Sequence, residues 1–340
     1  MKNILVTGGA GFIGSNFIKY ALKNFEYNVI NFDKLTYAGN LENLSDISDD
    51  KRYAFVKGDI CEPADVEIVI SRYKIDTVVN FAAESHVDRS ILGSREFVYT
   101  NVLGTQNLLD ISMKSNVEKY LQVSTDEVYG SLPEDKKEIK FTELTPITTN
   151  SPYSASKASA DLLCNAYFHT HKFPVLITRC SNNYGPYQFP EKLIPLMIAK
   201  AMDGEKLPVY GDGKNIRDWL YVEDHCSAIF EVLHKGKAGE VYNIGGNNEW
   251  YNIDIVKLIL KLLGKTEEQI SYVKDRPGHD RRYSIDSSKI SKELGWTPKY
   301  QFAEGIKETI DWYKNNENWW RKVMSGEYLN YYERNYSAKL

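Results

Sequence analysis

The chain has 340 residues, of which 42% are hydrophobic and 26% charged, and its net charge is −4. This length fits one large domain, or one domain with a smaller partner, and the composition is that of a folded globular protein. Because no basic run is present, we expect no nucleic-acid partner. No apolar run approaches the ~20 residues of a membrane span, and the apolar segment 4–6 is too short for the core of a signal peptide. We therefore expect a cytoplasmic protein with no membrane partner.

The four cysteines, Cys61, Cys164, Cys180 and Cys226, lie far apart and form no Cys-x-x-Cys pair. This spacing is not that of a zinc cluster or of a disulfide framework, so we predict no metal site and four buried, reduced thiols. The chain also contains 24 tyrosines, a number that makes chance matches to tyrosine motifs frequent.

Apolar, β-branched runs alternate with amphipathic stretches in the first half of the chain. The runs predict strands at 3–7, 27–32, 53–57, 77–81, 120–124 and 175–179, and the stretches predict helices at 12–23, 63–73, 94–115 and 152–171. Such alternation is typical of βαβ units. We therefore predict an α/β fold, a Rossmann-type doubly wound parallel sheet, with a ligand crevice outside the carboxyl ends of its strands.

The sequence changes character near residue 181, where proline and glycine become frequent and short helices alternate with short strands. We predict a cofactor domain over 1–180 and a smaller, discontinuous C-terminal α/β domain, mainly for substrate, over 181–340. A strand-like segment near 240–245 is expected to rejoin the main sheet. The aromatic tail, with Trp312, Trp319, Trp320, Tyr328, Tyr331 and Tyr332, is interpreted as the packing surface of a terminal helix.

A glycine pattern joins the first predicted strand to the first predicted helix. Residues 9–14 read Gly-Ala-Gly-Phe-Ile-Gly, a match to G-x-G-x-x-G, whose glycines permit a tight turn and a close approach of the backbone to a pyrophosphate. Asp33 closes the second strand, where a carboxylate accepts hydrogen bonds from the ribose hydroxyls and repels a 2′-phosphate. Asp59 and Ile60, at the end of the third strand, are placed to contact the adenine. The pattern favours NAD over NADP as the cofactor.

Three Tyr-x-x-x-Lys pairs occur, at Tyr53/Lys57, Tyr153/Lys157 and Tyr210/Lys214. Four residues of a strand span roughly 13 Å, which separates the first pair, and the third pair flanks a Gly-Asp-Gly turn. Tyr153 and Lys157 lie on a predicted helix, where residues i and i+4 share a face, with Ser151 as N-cap and Pro152 in the first turn. We expect the helix dipole and Lys157 to lower the pKa of Tyr153, so that the phenolate can take a proton from a sugar hydroxyl.

Residues 124–127 read Ser-Thr-Asp-Glu and follow the fifth predicted strand. Of two adjacent carboxyl groups at this position, one could remain protonated and act as an acid while the other acts as a base. A solvated turn is an equally good interpretation of these residues taken alone.

Taken together, these motifs resemble those of the extended short-chain dehydrogenase/reductases, and among them the nucleotide-sugar 4,6-dehydratases. The resemblance covers about residues 1–320. Its main stretches are 7–14, 33–40, 82–90, 124–130, 153–157, 179–186, 217–224 and 275–279. The motif Thr125-Asp126-Glu127 distinguishes the dehydratases from the related 4-epimerases, which lack the acid–base pair.

The resemblance implies a tightly bound NAD that is regenerated in each turnover, with dTDP-glucose as the substrate. The implied reaction oxidises carbon 4, eliminates water across carbons 5 and 6, and returns the hydride to carbon 6, giving dTDP-4-dehydro-6-deoxyglucose. Tyr153, assisted by Lys157, would take the proton of the 4-hydroxyl, to which Thr125 would hydrogen-bond. Glu127 would remove the proton on carbon 5, and Asp126 would protonate the departing hydroxyl.

The resemblance also implies the residues that contact each ligand. Those implied for NAD are Gly8, Gly11, Phe12, Ile13, Gly14, Asp33, Lys34, Leu35, Thr36, Asp59, Ile60, Phe81, Ala82, Ala83, Thr100, Tyr153, Lys157 and Asn183. Those implied for the substrate are Ser85, Thr125, Asn182, Lys192, Leu193, Pro208, Val209, Tyr210, Arg217, Asn252, Asp275, Arg276 and His279. His86 is interpreted as a packed histidine with no chemical role.

The helices predicted at 94–115 and 152–171 carry more apolar surface than one sheet face needs. The residues concerned are Phe97, Val98, Val102, Leu103, Leu108, Leu109 and Ile111 in the first helix, and Leu162, Leu163, Ala166 and Phe168 in the second. Two such helices from each subunit would form a two-fold, four-helix interface, so we predict a homodimer.

Three alternatives remain open on the sequence alone. A nucleotide-sugar 4-epimerase would use NAD, Tyr153 and Lys157 but would not need Asp126 and Glu127. A dehydratase for another nucleoside diphosphate hexose would differ only in its base pocket, since thymine and uracil differ by one methyl group. An inactive NAD-sensing regulator would have no need for the five catalytic candidates in combination.

Overall fold

The computed structural model describes residues 2–275 and 277–325. Within them the strands are β1 Lys2–Thr7, β2 Tyr27–Asp33, β3 Tyr53–Lys57, β4 Thr77–Asn80, β5 Lys119–Thr125, β6 Val175–Cys180, β7 Asn182–Tyr184, β8 Leu207–Tyr210, β9 Ile216–Tyr221, β10 Val241–Ile244, β11 Glu249–Tyr251 and β12 Ile270–Val273. The helices are α1 Phe12–Asn24, α2 Pro63–Tyr73, α3 Val87–Leu92, α4 Arg95–Phe97, α5 Thr105–Lys114, α6 Pro152–His171, α7 Leu193–Met202, α8 Val222–Lys235, α9 Asn252–Leu262, α10 Ser288–Leu294, α11 Phe302–Asn315 and α12 Glu317–Met324.

The main sheet of the described residues has seven parallel strands in the order β10-β6-β5-β4-β1-β2-β3. The chain builds outward from β1 in one direction through β2 and β3, and then returns to the other side of β1 with β4. This reversal leaves a crevice at the carboxyl ends of β1 and β4, the place where doubly wound sheets bind ligands. The predicted Rossmann-type α/β fold is confirmed.

Helices cover both faces of this sheet. On one face α1 and α8 bury Phe17, Ile18 and Phe230 against the strands, and on the other α2, α5 and α6 bury residues such as Val69, Leu108 and Cys164. Because both faces are buried, the central strands are buried along most of their length rather than at alternating positions. All four cysteines are buried and free, as expected from their spacing.

The helix predicted over 94–115 differs from the expectation in its middle. It runs as α4, then a π-helical segment Val98–Gly104, then α5. A π segment accommodates an extra residue in the turn and is frequent at functional sites. Here it carries Thr100 toward the crevice and buries Asn101, so the chain departs from regular α-helix at the point where it passes the site.

The second half of the chain forms a separate layer beside the crevice. A three-stranded sheet β11-β9-β7 and a pair β12-β8 pack with α7, α9, α11 and α12 around a second apolar cluster that contains Trp219, Phe302 and Trp320. Strand β10 pairs in parallel with β6 and so lies in the main sheet, as the segment near 240–245 was expected to do. The division into domains at 1–180 and 181–340 stays a proposal. Across residues 2–275 and 277–325, no helix combines the length and apolarity required to cross a membrane.

Candidate active site

Two adjoining cavities lie at the carboxyl ends of the main strands. The first has a volume of about 320 Å³ and extends from the glycine turn after β1 to the start of α6. The second has about 170 Å³ and extends toward β8 and β9 of the smaller layer. Four residues line both cavities, namely Glu127, Asn182, Glu191 and Lys192. A ligand in one cavity would therefore share its border with a ligand in the other.

The glycine turn forms the floor of the first cavity. Gly8 has φ +66°, and a Cβ atom there would lie 2.7 Å from the backbone nitrogen of Ala82. At Gly14 a Cβ atom would lie 2.3 Å from the carbonyl oxygen of Gly8, so a side chain would push α1 away from β1. Both positions require glycine for a close approach of backbone to backbone, which matches the role expected of the motif.

Asp33 ends β2 at the rim of the first cavity. Its carboxylate accepts hydrogen bonds from the backbone N–H groups of Ala10, at 2.9 Å, and Leu35, at 2.8 Å. Burial raises its pKa, and these two hydrogen bonds oppose that shift. The neighbouring Lys34 is paired with Asp59 at 2.9 Å, so its ammonium group is directed to a carboxylate at the end of β3. A carboxylate at Asp33 and a neutralised Lys34 fit the hydroxylated ribose of NAD better than a 2′-phosphate.

Nearly all the residues implied for the cofactor line the first cavity. They are Gly8, Gly11, Phe12, Ile13, Gly14, Asp33, Lys34, Thr36, Asp59, Ile60, Phe81, Ala82, Ala83, Thr100, Tyr153, Lys157 and Asn183. Leu35 lies beside the cavity with φ +57° and contributes its backbone N–H to Asp33. The buried hydroxyl oxygens of Ser124 and Ser181, which also line the cavity, have no hydrogen-bond partner among the described residues. An elongated cavity with a glycine turn, a terminal carboxylate and unpaired polar groups fits a dinucleotide.

Helix α6 presents Tyr153 and Lys157 to the first cavity. Its N-terminus is a capping box in which the side chain of Ser151 accepts from the backbone of Ser154 and the side chain of Ser154 accepts from the backbone of Ser151, with Pro152 in the first turn. The predicted N-cap and first-turn proline are therefore confirmed. Lys157 is 3% exposed, and its Nζ donates to the carbonyl oxygen of Val123 at 2.7 Å, which fixes it at the end of β5.

The expected lowering of the pKa of Tyr153 is not found in this structure. Burial raises its pKa well above the ordinary value, and the negative charge of Glu127 acts in the same direction, while a hydrogen bond with Thr125 opposes them. Burial also lowers the pKa of Lys157. The physical reason is that the phenol is buried and that Glu127 is negatively charged, so the phenolate loses solvation and is repelled. In these surroundings Tyr153 keeps its proton.

The turn after β5 holds the carboxyl pair. Thr125 caps a short 3₁₀ helix, Asp126–Tyr129, by accepting from the backbone N–H of Glu127 at 3.3 Å. Asp126 is 1% exposed, and burial and the charges of Glu127 and Asp218 raise its pKa well above the ordinary value. Its Oδ2 atom has no hydrogen-bond partner among the described residues. Glu127 is partly exposed and faces both cavities. The structure thus offers a buried carboxyl group with a raised pKa beside a more accessible one.

Most of the residues implied for the substrate line the second cavity or the border. Leu193, Pro208, Val209, Tyr210, Arg217, Asn252 and His279 line the second cavity, Asn182 and Lys192 line both, and Ser85 and Thr125 line the first. Asp275 lies outside the lining and accepts from Nδ1 of His279 at 2.6 Å. Arg276 lies outside the described residues. The buried side-chain oxygens of Asn182 and Asn252 lack a partner among the described residues, as expected of groups that bind a polar ligand.

Sequence reasoning missed several residues of the site. Glu191 is a buried carboxyl group between the two cavities, 3.8 Å from Nε2 of His86, and Tyr37 donates to it at 3.2 Å. His86, to which the sequence assigned no role, is buried and lines the second cavity. Asn101 of the π segment donates to Ser156 of α6 at 2.8 Å. No local pattern marks these residues, because each reaches the site through contacts between distant elements.

The structure separates the three tyrosine–lysine pairs as predicted. Tyr53 and Lys57 begin and end β3, and Tyr210 ends β8 before the turn that contains Lys214. Tyr153 and Lys157 share the buried face of α6 and line the same cavity as Thr125 and the carboxyl pair.

Comparisons with known proteins agree with this site. A family model described as GDP-mannose 4,6 dehydratase matches residues 5–309. The dTDP-glucose 4,6-dehydratase of Salmonella typhimurium is 51% identical over 99% of each chain. The crystal structure of the dTDP-glucose 4,6-dehydratase of Bacillus anthracis in complex with NAD is 55% identical, covers 95% of this chain and 100% of its own, and has a TM-score of 0.89. The enzyme of the same name from Streptomyces venezuelae, solved with NAD and a dTDP ligand, is 47% identical, covers 94% and 99%, and has a TM-score of 0.91.

The identities and coverage far exceed what fold similarity alone would produce. The discriminating motif of the sequence, Thr125-Asp126-Glu127, lies in the same cavity as Tyr153 and Lys157. The chain belongs to the family of the GDP-mannose 4,6-dehydratase model and, within it, to the dTDP-glucose 4,6-dehydratases.

Proposed function

We propose that this protein dehydrates dTDP-glucose to dTDP-4-dehydro-6-deoxyglucose with NAD as a regenerated cofactor. The observation that carries the proposal is the presence of Asp126 and Glu127 in the cavity that also holds Tyr153, Lys157 and Thr125. A 4-epimerase on the same fold has no use for a buried acid beside an accessible carboxyl group. The identity of the substrate and of the product is taken from the 4,6-dehydratases that the chain resembles.

The first cavity would hold NAD. The glycine turn and the start of α1 would take the diphosphate, since a helix N-terminus favours negative charge. Asp33 would accept from the adenosine ribose, and Asp59 and Ile60 would contact the adenine. When bound, NAD supplies a positively charged nicotinamide ring that favours a nearby phenolate, takes a hydride from carbon 4 of the sugar and returns it to carbon 6.

Tyr153 would remove the proton of the 4-hydroxyl. Because burial raises its pKa in the protein alone, the positive charge of a bound nicotinamide ring would favour its base form. Thr125, whose hydroxyl interacts with Tyr153, would hydrogen-bond the same substrate oxygen. Lys157 would hold the backbone of β5 in place through the carbonyl of Val123, in addition to its charge.

Asp126 and Glu127 would carry out the elimination. A ketone at carbon 4 acidifies the proton on carbon 5, so that a carboxylate is a strong enough base to remove it. Glu127 would take this proton and return it to carbon 5 when the hydride is delivered to carbon 6. Asp126, whose pKa is raised by burial, would give its proton to the departing 6-hydroxyl, which leaves as water. The acid and the base are adjacent residues on one short turn, so both can act on neighbouring carbons of one substrate.

The second cavity would bind the nucleotide part of the substrate. Its polar side chains include Arg217, a guanidinium suited to phosphate oxygens, and Asn252, whose buried oxygen lacks a partner among the described residues. Pro208, Val209 and Leu193 give it an apolar wall that could accept a base. Arg276, implied for the same ligand, stays a prediction from the sequence, as does the cytoplasmic location.

A homodimer is the proposed assembly. Several apolar residues of the expected interface, including Phe97, Leu108 and Leu109, are in fact buried within the subunit. Val98, Tyr99 and Leu103 of the first helix and Leu162 of α6 remain exposed, and the two helical segments are neighbours. An apolar surface of this kind on a helix pair fits burial against its copy.

A substrate panel tests the proposed function directly. The protein is incubated with dTDP-, UDP-, GDP- and CDP-glucose, and the masses of the products are measured by mass spectrometry. We expect loss of one water from dTDP-glucose and much slower loss from the others. A product that keeps the mass of the substrate would identify an epimerase, and dehydration of a different nucleotide sugar would change the assigned base. Absence of any product with NAD bound would contradict enzymatic activity.

A further inference from the structure

The segment 34–47, which we call the strap, follows β2 and passes over the first cavity. Lys34, Thr36, Ala38 and Gly39 of the strap line that cavity. The strap ends in a 3₁₀ helix, Leu41–Ile47, in which Leu44 and Ile47 pack with the apolar core beside α1 and Asn43 bonds to Trp319 of α12. Its position therefore bears on how tightly a ligand in the first cavity is held.

Asn43 of the strap connects two distant parts of the chain. Its Nδ2 donates to the carbonyl oxygen of Ala10 at 2.9 Å, and its Oδ1 accepts from the indole Nε1 of Trp319 at 2.8 Å. Asn43 is 2% exposed and Trp319 is 9% exposed. Because an indole N–H can only donate, this contact fixes the amide with its oxygen toward Trp319 and its nitrogen toward Ala10.

Ala10 lies at the centre of the glycine turn and is held on both sides. Its N–H donates to Asp33 at 2.9 Å, and its carbonyl oxygen accepts from Asn43 and also from the backbone N–H of Asn40, at 2.9 Å. The turn proposed to bind the diphosphate is thus fixed by the strap. The strap in turn is fixed by the indole of Trp319, which lies 276 residues after Asn43 in the sequence.

Trp319 is itself held firmly in α12. Its ring packs edge-on against Trp312, with centroids 5.1 Å apart, and against Tyr187, with centroids 5.7 Å apart. Tyr187 accepts from Nζ of Lys19 in α1 at 2.7 Å. The C-terminal helix, the strap and the first helix of the cofactor site therefore form one connected unit.

We propose that Trp319 is a positioning residue for the cofactor, which acts through Asn43 on the glycine turn and keeps NAD bound between turnovers. The inference rests on the proposed function, because it presupposes that the first cavity holds NAD. A reaction that reduces and reoxidises the same cofactor molecule stops if that molecule escapes midway. A hydrogen-bonded clamp between the C-terminal helix and the glycine turn would prevent such escape.

The test is the variant Trp319→Phe, which keeps an aromatic ring and removes the N–H donor. The protein is purified with its cofactor, and the release of NAD into an excess of isotopically labelled NAD is followed by mass spectrometry of the bound nucleotide. We expect release about fivefold to tenfold faster than in the wild type, the effect of one buried hydrogen bond. Asn43→Ser should give a similar acceleration, and the double variant should add little to either, because the two residues act through one path.

Trp320→Phe is the matched control in the same helix. Its Nε1 donates to the carbonyl oxygen of Tyr313 at 3.1 Å, so the variant loses a comparable hydrogen bond in which no strap residue takes part. Trp296→Phe, which loses a bond to Ser227 at 2.9 Å, is the control elsewhere in the fold. We expect neither to change NAD release.

The outcomes separate this inference from the proposed function. Unchanged release in both Trp319→Phe and Asn43→Ser, or equal acceleration in Trp319→Phe and Trp320→Phe, would overturn the positioning role. If Trp319→Phe does not fold, Asn43→Ser with its Trp320→Phe control decides the matter. A wild-type protein that neither retains nor binds NAD would contradict the proposed function itself.

Discussion

Asp126 and Glu127 are adjacent carboxyl groups in different surroundings, and the difference assigns their roles. Asp126 is fully enclosed, and burial, followed by the charge of Glu127, raises its pKa. Glu127 faces the boundary of both cavities, where a substrate would meet it. Both residues line the first cavity. The raised pKa favours a proton on Asp126, as an acid requires, and leaves the base role to the more accessible Glu127.

The variants Glu127→Gln and Tyr153→Phe should stop the reaction at different steps. Glu127→Gln removes the base for elimination but leaves Tyr153, so we expect enzyme-bound NADH and a 4-keto sugar to accumulate after substrate is added. Tyr153→Phe removes the base for oxidation, so no NADH should form. The measurement is the absorbance of bound NADH in a stopped-flow experiment. Normal turnover by Glu127→Gln would show that another group is the base.

Asp126→Asn should change how stability depends on pH. The ordinary pKa of the carboxyl group is 3.8, and burial raises it in the folded protein. Between these two pKa values the folded chain holds one more proton than the unfolded chain, so this group makes the free energy of unfolding fall as pH rises, by up to about 1.4 kcal/mol per pH unit. The variant lacks this dependence, and its stability relative to wild type should increase with pH.

Denaturant unfolding of both proteins at several pH values measures that difference. Parallel pH dependences would mean that Asp126 does not carry the proton in the folded state. The same variant should slow elimination far more than oxidation, since asparagine cannot donate an acidic proton to the leaving hydroxyl.

At the scale of elements, one buried arginine joins the parts that carry the catalytic groups. Arg179 of β6 donates from Nε to Asp161 of α6 at 2.8 Å and from a terminal nitrogen to the hydroxyl of Tyr129 at 2.9 Å. Tyr129 ends the turn of the carboxyl pair and donates to Asn243 of β10 at 2.8 Å. Asp161 lies one helical turn after Lys157. The acid–base turn and the Tyr153 helix are thus held in register by a single guanidinium.

Tyr129→Phe should therefore disturb elimination more than oxidation. It removes the hydroxyl that fixes the turn of Asp126 and Glu127, while Tyr153, Lys157 and Thr125 keep their own supports. We expect a lower kcat with little change in KM and a larger fraction of bound NADH in the steady state. Each unpaired buried group should also lower the free energy of unfolding, by about 1–3 kcal/mol.

Tyr242→Phe is the control for this prediction. Tyr242 is also buried, and its hydroxyl accepts from the N–H of Lys237 at 3.2 Å and donates to Glu293 at 3.3 Å, away from the cavities. It should lose a comparable amount of stability with no change in the NADH fraction. The same kinetic profile in both variants would reduce the role of Tyr129 to general stability.

The elements show which parts of the site could be predicted from sequence. The glycine turn, Asp33 and the start of α6 follow from local patterns, because backbone geometry and helix capping are properties of a few consecutive residues. The π segment at 98–104, Glu191 and the Asn43–Trp319 contact depend on packing between distant segments. The pKa of Tyr153 was predicted in the wrong direction, because helix position and sequence spacing do not reveal how dry a site is.

At the scale of the whole molecule, the two layers contribute different parts of the proposed site. The main sheet supplies the glycine turn, Asp33, the carboxyl pair and Tyr153, and the smaller layer supplies the walls of the second cavity. The reacting carbons of a bound sugar would lie at the border, where Glu127 and Asn182 line both cavities. Helix α12 then connects back to the cofactor side through Trp319 and Asn43, so segments far apart in the sequence shape one cleft.

Leu162→Glu should convert the proposed dimer into monomers. Leu162 is 57% exposed on α6, which neighbours the segment that carries the exposed Val98 and Leu103. A charge at this apolar surface would have to be buried in a two-fold interface. Sedimentation velocity at micromolar protein should give a dimer for the wild type and a monomer for the variant. Leu262→Glu, at a residue 38% exposed on α9 of the smaller layer, should stay dimeric. A monomeric wild type would rule out the assembly, whereas a dimeric Leu162→Glu would place the interface on another surface. The catalytic turn and α6 are complete within one subunit, so we expect the monomeric variant to keep bound NAD.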